Sequence, residues 1–276
     1  MVTRPHGRPN VAGGLAGFAW LLVVLVPVYY VVITSLRDQE GFFSSNPLVP
    51  PSEPTLDSYR LVLENDFLRY LANSVVVTLA TVVITVAVSL LAAYYVVRAD
   101  SRLSRLTYRS FLLGLAIPLQ ATIIPVYYLI TQARLYDTLL AIILPSAAFA
   151  IPLTVIILAN FLRDVPSELF ESMRLDGAGH WRMVWSLVLP LVRPAVVTVA
   201  VYDALQVWNG FLFPLILTQS PDQRVLPLAL WSFQGQFTVN IPAVLAAVVL
   251  STLPVLALYV LGRRQLVSGL TAGFGR

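Results

Sequence analysis

The chain of 276 residues contains no cysteine, which excludes disulfides and thiolate metal sites. It also contains no lysine: all 18 basic residues are arginine. A phosphate-binding loop of the G-x-x-x-x-G-K-[ST] type places a lysine on the phosphates. This chain cannot build one, so ATP, if it drives the function, is hydrolysed by another subunit. Charge is scarce, at 12% of residues, against about 25% in an ordinary soluble domain. The two histidines, His6 and His180, lie outside every long apolar stretch. No His-Glu-x-x-His pair and no buried Ser–His couple is available. No catalytic residue, no metal ligand and no cofactor are expected, and the chain does not read as an enzyme.

What the chain has instead is apolar length. Apolar residues make up 58% of it, and a membrane span needs about 20 in succession. Six windows qualify: 15–36, 71–97, 109–131, 139–162, 191–218 and 241–262. The expectation is an all-α integral membrane protein with six transmembrane helices. The first window is too long for a secretory signal and lacks a small-residue cleavage site before Arg37 and Asp38, so it reads as a retained span. The remainder divides into a tail over 1–14, a membrane domain over 15–262 with a polar loop at 163–190, and a second tail over 263–276.

An even number of spans puts both ends on one side. Thirteen arginines fall in the segments 1–14, 98–109, 163–193 and 263–276, and five fall in 37–70, 132–138 and 218–240. The arginine-rich side belongs in the cytoplasm, giving N-in/C-in topology. That asymmetry also accounts for the net charge of +4 without a nucleic-acid partner. The partner it requires is membrane lipid. Every window except the second contains proline, which membrane helices tolerate and which kinks them. No internal repeat is visible, so the inverted-repeat pattern of many secondary transporters finds no support. Leu56 to Tyr70 carries helical spacing, with Leu61 and Leu68 among its apolar positions.

The loop at 163–190 reads as a helical hairpin. Pro166 suits a first turn, Glu168 and Glu171 sit early and Arg174 late, as the helix dipole favours. Asp176-Gly177 ends this helix, with Gly177 free to adopt a left-handed conformation. A second short helix then runs from His180 to Val188, presenting Trp181 and Trp185, and Pro190 marks the start of the next span.

This segment resembles the signature of permease subunits in bacterial ABC importers, which reads Glu-Ala-Ala, three residues, Gly, nine residues, Ile, any residue, Leu-Pro. Glu171, Gly177, Leu187, Leu189 and Pro190 occupy matching positions. Ser172-Met173 replace the two alanines and Leu187 replaces isoleucine. Pro54-Thr55-Leu56-Asp57-Ser58-Tyr59, then Phe67 and Asn73-Ser74, resembles sugar-importing permeases as well. So does the tail Gly269-Leu270-Thr271-Ala272-Gly273. The chain is thereby similar to the maltose-type family of carbohydrate ABC permeases, in particular its second, smaller subunit.

The resemblance implies an ABC importer type I permease architecture in a bacterial or archaeal plasma membrane. It implies half of a translocation pathway for a sugar or oligosaccharide. The partners it implies are a second permease subunit in a heterodimer, two ATPase subunits that carry the ATP and Mg, and an extracellular solute-binding protein touching 37–70 and 218–240. ATPase coupling would fall to Glu171, Ser172, Met173, Asp176, Gly177 and Ala178. The C-terminal tail contact would involve Gly269, Leu270, Thr271 and Gly273. A non-sugar cargo such as a glycerol phosphodiester or a polyamine stays open. An ion-coupled secondary transporter does too, though it should carry paired intramembrane ionisable residues.

Inside the fifth window lie Asp203, Gln206, Trp208 and Asn209. Asp203, Gln206 and Asn209 are three apart and drift slowly round one helix face. A mid-span aspartate costs about 2.5–3.5 kcal/mol on insertion scales, and such residues usually face a wet cavity or the bundle interior. They read as substrate pathway or as an interhelical hydrogen-bond patch. Gln120 and Thr122, beside Pro118 and Pro125, extend the polar lining. Tyr127, Tyr128, Trp208 and Phe211 offer aromatic faces to a sugar.

Overall fold

The computed structural model describes residues 11–44, 46–230 and 239–272. Residues 1–10 of the expected N-terminal tail, Gly273 and the external stretch 231–238 lie outside the described residues. Residues 1–67 with 230–252 form one compact unit, and 68–229 with 253–276 form another.

In the first unit, α1 (Val11–Ser35) is apolar all round and almost wholly unburied, the pattern of a helix whose surroundings are lipid. It begins four residues before the expected span, within the stretch read as tail. Short α2 (Gln39–Ser44) and α3 (Asp57–Glu64) follow. Arg37 organises the segment between them. It is 2% exposed, and its guanidinium donates to the carbonyls of Asn46 (2.9 Å) and Val49. The helix expected from Leu56 onward breaks at Asn65-Asp66, where Asp66 has a φ of 59°. The buried positions of α3 are Ser58 and Val62, and Phe67 and Tyr70 are buried beyond the break, while Leu61 and Leu68 are exposed.

The second unit is built on α4 (Phe67–Arg98), α5 (Arg102–Leu115), α6 (Ile123–Gln132), α7 (Leu139–Arg163), α8 (Ser167–Leu175), α9 (His180–Met183) and α10 (Leu189–Trp208). They are completed by α11 (Leu212–Leu217) and α12 (Leu226–Ala229). Helix α13 (Ile241–Ala272) belongs to the first unit up to Thr252 and to the second from Leu253. Central to the second unit is α7, against which α5, α10 and α11 pack. A Cβ at Gly114 would stand 3.3 Å from the Pro152 ring, so glycine permits the close approach of α5 to α7. Along α4, Ser74, Thr78, Thr81, Thr85 and Ser89 form a buried stripe at helical spacing, the small-residue face by which membrane helices come together.

Among the described residues, four helical runs are long and apolar enough to cross a membrane: α1, α4, α7 and the run His180–Trp208. The third expected window, 109–131, is not one straight helix. A capping box between Ser101 and Ser104 starts α5 at Arg102 instead. Pro118 then breaks the chain, because it lacks an N–H and drives Ile117 out of helical geometry. A 3-10 turn at Leu119–Thr122 follows, and the two halves meet at 100°. Counted as one span, this pair makes a fifth. The sixth window lies in α13, whose apolar part Ile241–Ala257 is shorter by the same measure. Its helix continues through the stretch read as a C-terminal tail as far as Ala272. The fifth window also divides: α10 stops at Trp208, and α11 starts two residues beyond Gly210.

Candidate functional site

The hairpin forms where the spacing places its first helix. Helix α8 ends in a left-handed glycine, Gly177, with a φ of 75°. The Gly177 N–H donates to the Arg174 carbonyl at 3.0 Å and the Ala178 N–H to the Met173 carbonyl at 2.9 Å. These two bonds make a Schellman cap, which satisfies carbonyls the helix end leaves open and brings the residue after the glycine back onto the last turn. Ala178 is accordingly buried, with Met173 packed against the same cluster.

The second half departs from expectation. Pro190 does not interrupt the helix. Residues Val184–Val188 form a π turn in which the Leu189 N–H reaches back to the Val184 carbonyl, so the helical run continues from His180 to Trp208. A proline ring clashes with the carbonyl four residues before it. The wider π turn opens the backbone at that place, so hairpin and span become one rod.

The root of the hairpin is seated on the end of α4. Phe170 is 1% exposed, and the Arg98 guanidinium lies 4.0 Å from its ring centroid. The Tyr94 hydroxyl forms a hydrogen bond with His180 Nδ1 at 2.8 Å and contacts the Met183 sulfur at 3.5 Å. With its inner face so held, the outer face carries Glu171, Ser172 and Asp176 beside apolar groups that nothing among the described residues covers. Leu175 is 89% exposed and Trp181 66%.

Farther along the same rod, α10 lines a cavity of about 360 Å³ against α7. Asp203, Gln206 and Gly210 meet Ser146 and Phe149 there, with Phe211 beyond the end of α10. Asp203 is 2% exposed, and its Oδ2 accepts a hydrogen bond from the Thr154 hydroxyl at 3.0 Å. Of the residues read as pathway, Asp203 and Gln206 line this cavity. Trp208 faces a crevice beside Ser74 and Val225 instead. Asn209 turns back on its own helix, donating to the Leu205 carbonyl at 2.7 Å. Gln120 is exposed on the 3-10 turn, and the Tyr127 ring packs edge-on against Tyr136. Sequence reasoning missed Ser146, Phe149 and Thr154. Nothing in an apolar window marks a lone serine or threonine as facing a cavity.

At the far end of α7, Asp137 ties two turns together. Its Oδ1 accepts from the backbone N–H groups of Gln219 (2.8 Å) and Ser220 (2.9 Å), and its Oδ2 accepts from the Ser220 hydroxyl. The Ser220 hydroxyl, followed by these two N–H groups, holds the Asp137 carboxyl below the usual carboxylate range. Arg69 pairs with Asp222, and the Asn73 amide donates to the carbonyls of Asp222 and Arg224, both at 2.8 Å. Among the described residues, no group of histidine, aspartate and glutamate could hold a metal ion.

A family profile described as a binding-protein-dependent transport system inner membrane component matches residues 85–267. A Caldicellulosiruptor sp. (strain Rt8B.4) protein, ORF2, described as an ABC transporter permease, is 38% identical over 254 residues, 92% of each chain. The diacetylchitobiose uptake system permease NgcG of Streptomyces coelicolor is 29% identical over 92% of this chain and 85% of its own. Among solved structures, a chain of a bacterial ABC transporter that imports the acidic polysaccharide alginate aligns with a TM-score of 0.80 at 19% identity. It covers 95% of this chain and 99% of its own.

Proposed function

The chain belongs to the family of binding-protein-dependent transport system inner membrane components, and on that premise we propose that it is the permease subunit of an ABC importer for a sugar or oligosaccharide. The observation that carries the reading is the hairpin at Ser167–Val188. Its first helix is fixed by a Schellman cap, its root is clamped to α4 by Phe170, and its second half is continuous with a membrane-crossing rod. Such an element passes a push at its tip to the helix that lines the cavity. The apolar tip, with Leu175 and Trp181 exposed, is of the kind that a partner surface covers. The uptake of a diacetylated disaccharide by a relative similar over nearly the whole chain supports a carbohydrate cargo.

In the finer reading this chain pairs with a second permease, and the two enclose the path. Two ATPase subunits dock beneath the hairpins, with Glu171 to Ala178 at the contact and the C-terminal end of α13 beside it. They bind the ATP and Mg, since no lysine is present here to do so. A solute-binding protein meets the outer mouth. Both termini lie in the cytoplasm. ATP biases the complex between outward- and inward-open states by binding one state better than the other.

The test is isolation of the tagged chain from its membrane in mild detergent. A second permease and a lysine-containing ATPase should accompany it, and the reconstituted assembly should take up saccharide only with ATP. Uptake driven by a proton or sodium gradient, with no ATPase in the complex, would refute the reading.

A further inference from the structure

The carboxylate of Asp203 has no matching cation in the cavity it lines. No arginine is among the lining groups. The polar ones are Ser146, Tyr202, Gln206 and Asp203 itself, and the rest are apolar or aromatic. One oxygen is satisfied by Thr154, and among the described residues no donor occupies the other. A carboxylate 2% exposed, with an acceptor left over and a cavity beside it, is costly to keep in lipid. It is retained at lower cost where water or a ligand hydroxyl supplies the missing donor. At about 360 Å³ the cavity is at the small end of ligand pockets, which run from about 300 to 1,000 Å³. It suits a ring-sized unit. Phe149 and Phe211 supply apolar faces and Gln206 an amide with both donor and acceptor.

Resting on the permease reading above, we propose that this cavity is a substrate subsite in which Asp203 sets charge selectivity. It accepts hydroxyl groups of neutral saccharides, tolerates cationic ones, and excludes uronates, sulfonates and phosphates. An anion brought beside an uncompensated carboxylate in a weakly polar site meets strong repulsion, whereas a hydroxyl donates to the free oxygen. The acidic cargo of the structurally similar alginate importer is the class this cavity rejects.

The absence of cysteine permits a test that does not require the cargo to be identified. Ser146→Cys places the chain's single thiol at the cavity wall with little change in volume. Vesicles carrying the whole complex are treated with a cationic or an anionic methanethiosulfonate, and modification is read from the mass of this chain. Each rate is divided by that reagent's rate with a small free thiol. The cation should react at least tenfold faster than the anion. The ratio should fall several-fold in Ser146→Cys with Asp203→Asn, and return with Asp203→Glu. A ratio near one in Ser146→Cys alone overturns the proposal, and so does a thiol inert to both reagents in every nucleotide state. A ratio indifferent to Asp203→Asn, with the variant chain present at normal level and assembled, overturns it as well. Loss of assembly in both Asp203→Asn and Asp203→Glu assigns the carboxylate to packing and overturns it too. ATP should alter the absolute rates. If ATP changes the rates while the ratio is one, the subsite inference alone has failed. If the ratio holds but ATP has no effect, the permease reading has failed instead.

Discussion

Gly177 shows how one residue fixes the geometry of a hairpin. Its φ of 75° is required by the Schellman cap, and an added Cβ would meet nothing within 4 Å. The constraint is therefore conformational rather than spatial. Gly177→Ala and Gly177→Leu should carry the same backbone cost, roughly 1–2 kcal/mol, and lower the thermal midpoint of the complex alike. What separates them is the partner's surface: leucine should weaken ATPase association and uptake more than alanine does. Full association and full uptake in Gly177→Leu would remove the hairpin from the coupling path. Asp137 makes a second prediction at this scale. Hydrogen bonds from Ser220 and Gln219 hold its carboxyl below the ordinary value. The native state thus favours the ionised form, and the tie contributes fully above about pH 4. It should be lost as the pH falls from there through the lowered native value. Amide exchange at Gln219 and Ser220, after correction for intrinsic rates, should then speed up. No change on acidification, or wild-type protection of these amides in Asp137→Asn at neutral pH, would show that the carboxylate does not hold this turn.

Between elements, the hairpin is held by its seat on α4. Phe170 is buried under Arg98 and beside Tyr94. Phe170→Ala should destabilise the seat by about 3–5 kcal/mol and release α8 to trypsin at Arg174 and Arg182 in inside-out vesicles. Tyr94→Phe, which removes the bond to His180, should cost about 1 kcal/mol and leave the cleavage rate nearly normal. Equal protection of Phe170→Ala and wild type would mean that something other than this packing holds the hairpin. The helix from Ser167 was legible because proline, early acid, late arginine and glycine stand at cap positions, and those are local signals. The seat was not, because it joins Tyr94 and Arg98 to residues more than seventy positions away. Pro190 misled for a related reason. It reads as a boundary when the only alternatives are helix and break, and the π turn at Val184–Val188 is a third. Pro118 sits in an apolar window in the same way, yet it does break the chain, with a bend of 100°. Which proline bends and which is absorbed depends on the turn before it, and hydropathy carries no information about that. In the cavity, Asp203 and Gln206 were legible because polarity is expensive in a span. Asn209 carried the same signal but satisfies itself on its own helix.

For the whole molecule, arginine asymmetry and element order make one joint claim about orientation. With thirteen arginines in one set of segments and five in the other, the positive-inside bias assigns the hairpin and both termini to the cytoplasm and the stretch around Arg37 to the outside, an orientation put forward as a proposal. The bent pair α5 and α6 is where this claim is exposed. If that pair dips into the membrane and returns to the same side, everything after it inverts. The hairpin would then face outward, away from any cytoplasmic ATPase, even though α1, α4, α7 and the rod from His180 to Trp208 all cross. Single cysteines decide it, since none occurs naturally. Ser172 is exposed on α8, and Ser52 is exposed on the segment that follows α2. In sealed right-side-out vesicles a membrane-impermeant maleimide should label Ser52→Cys and spare Ser172→Cys. In inside-out vesicles the pattern should reverse. Labelling of both positions from one side would mean an odd number of crossings has been miscounted between them, and α5 with α6 would be the re-entrant element. The arginine bias would then mark a local surface rather than a topology, and docking of a cytoplasmic ATPase to the hairpin would be ruled out along with it.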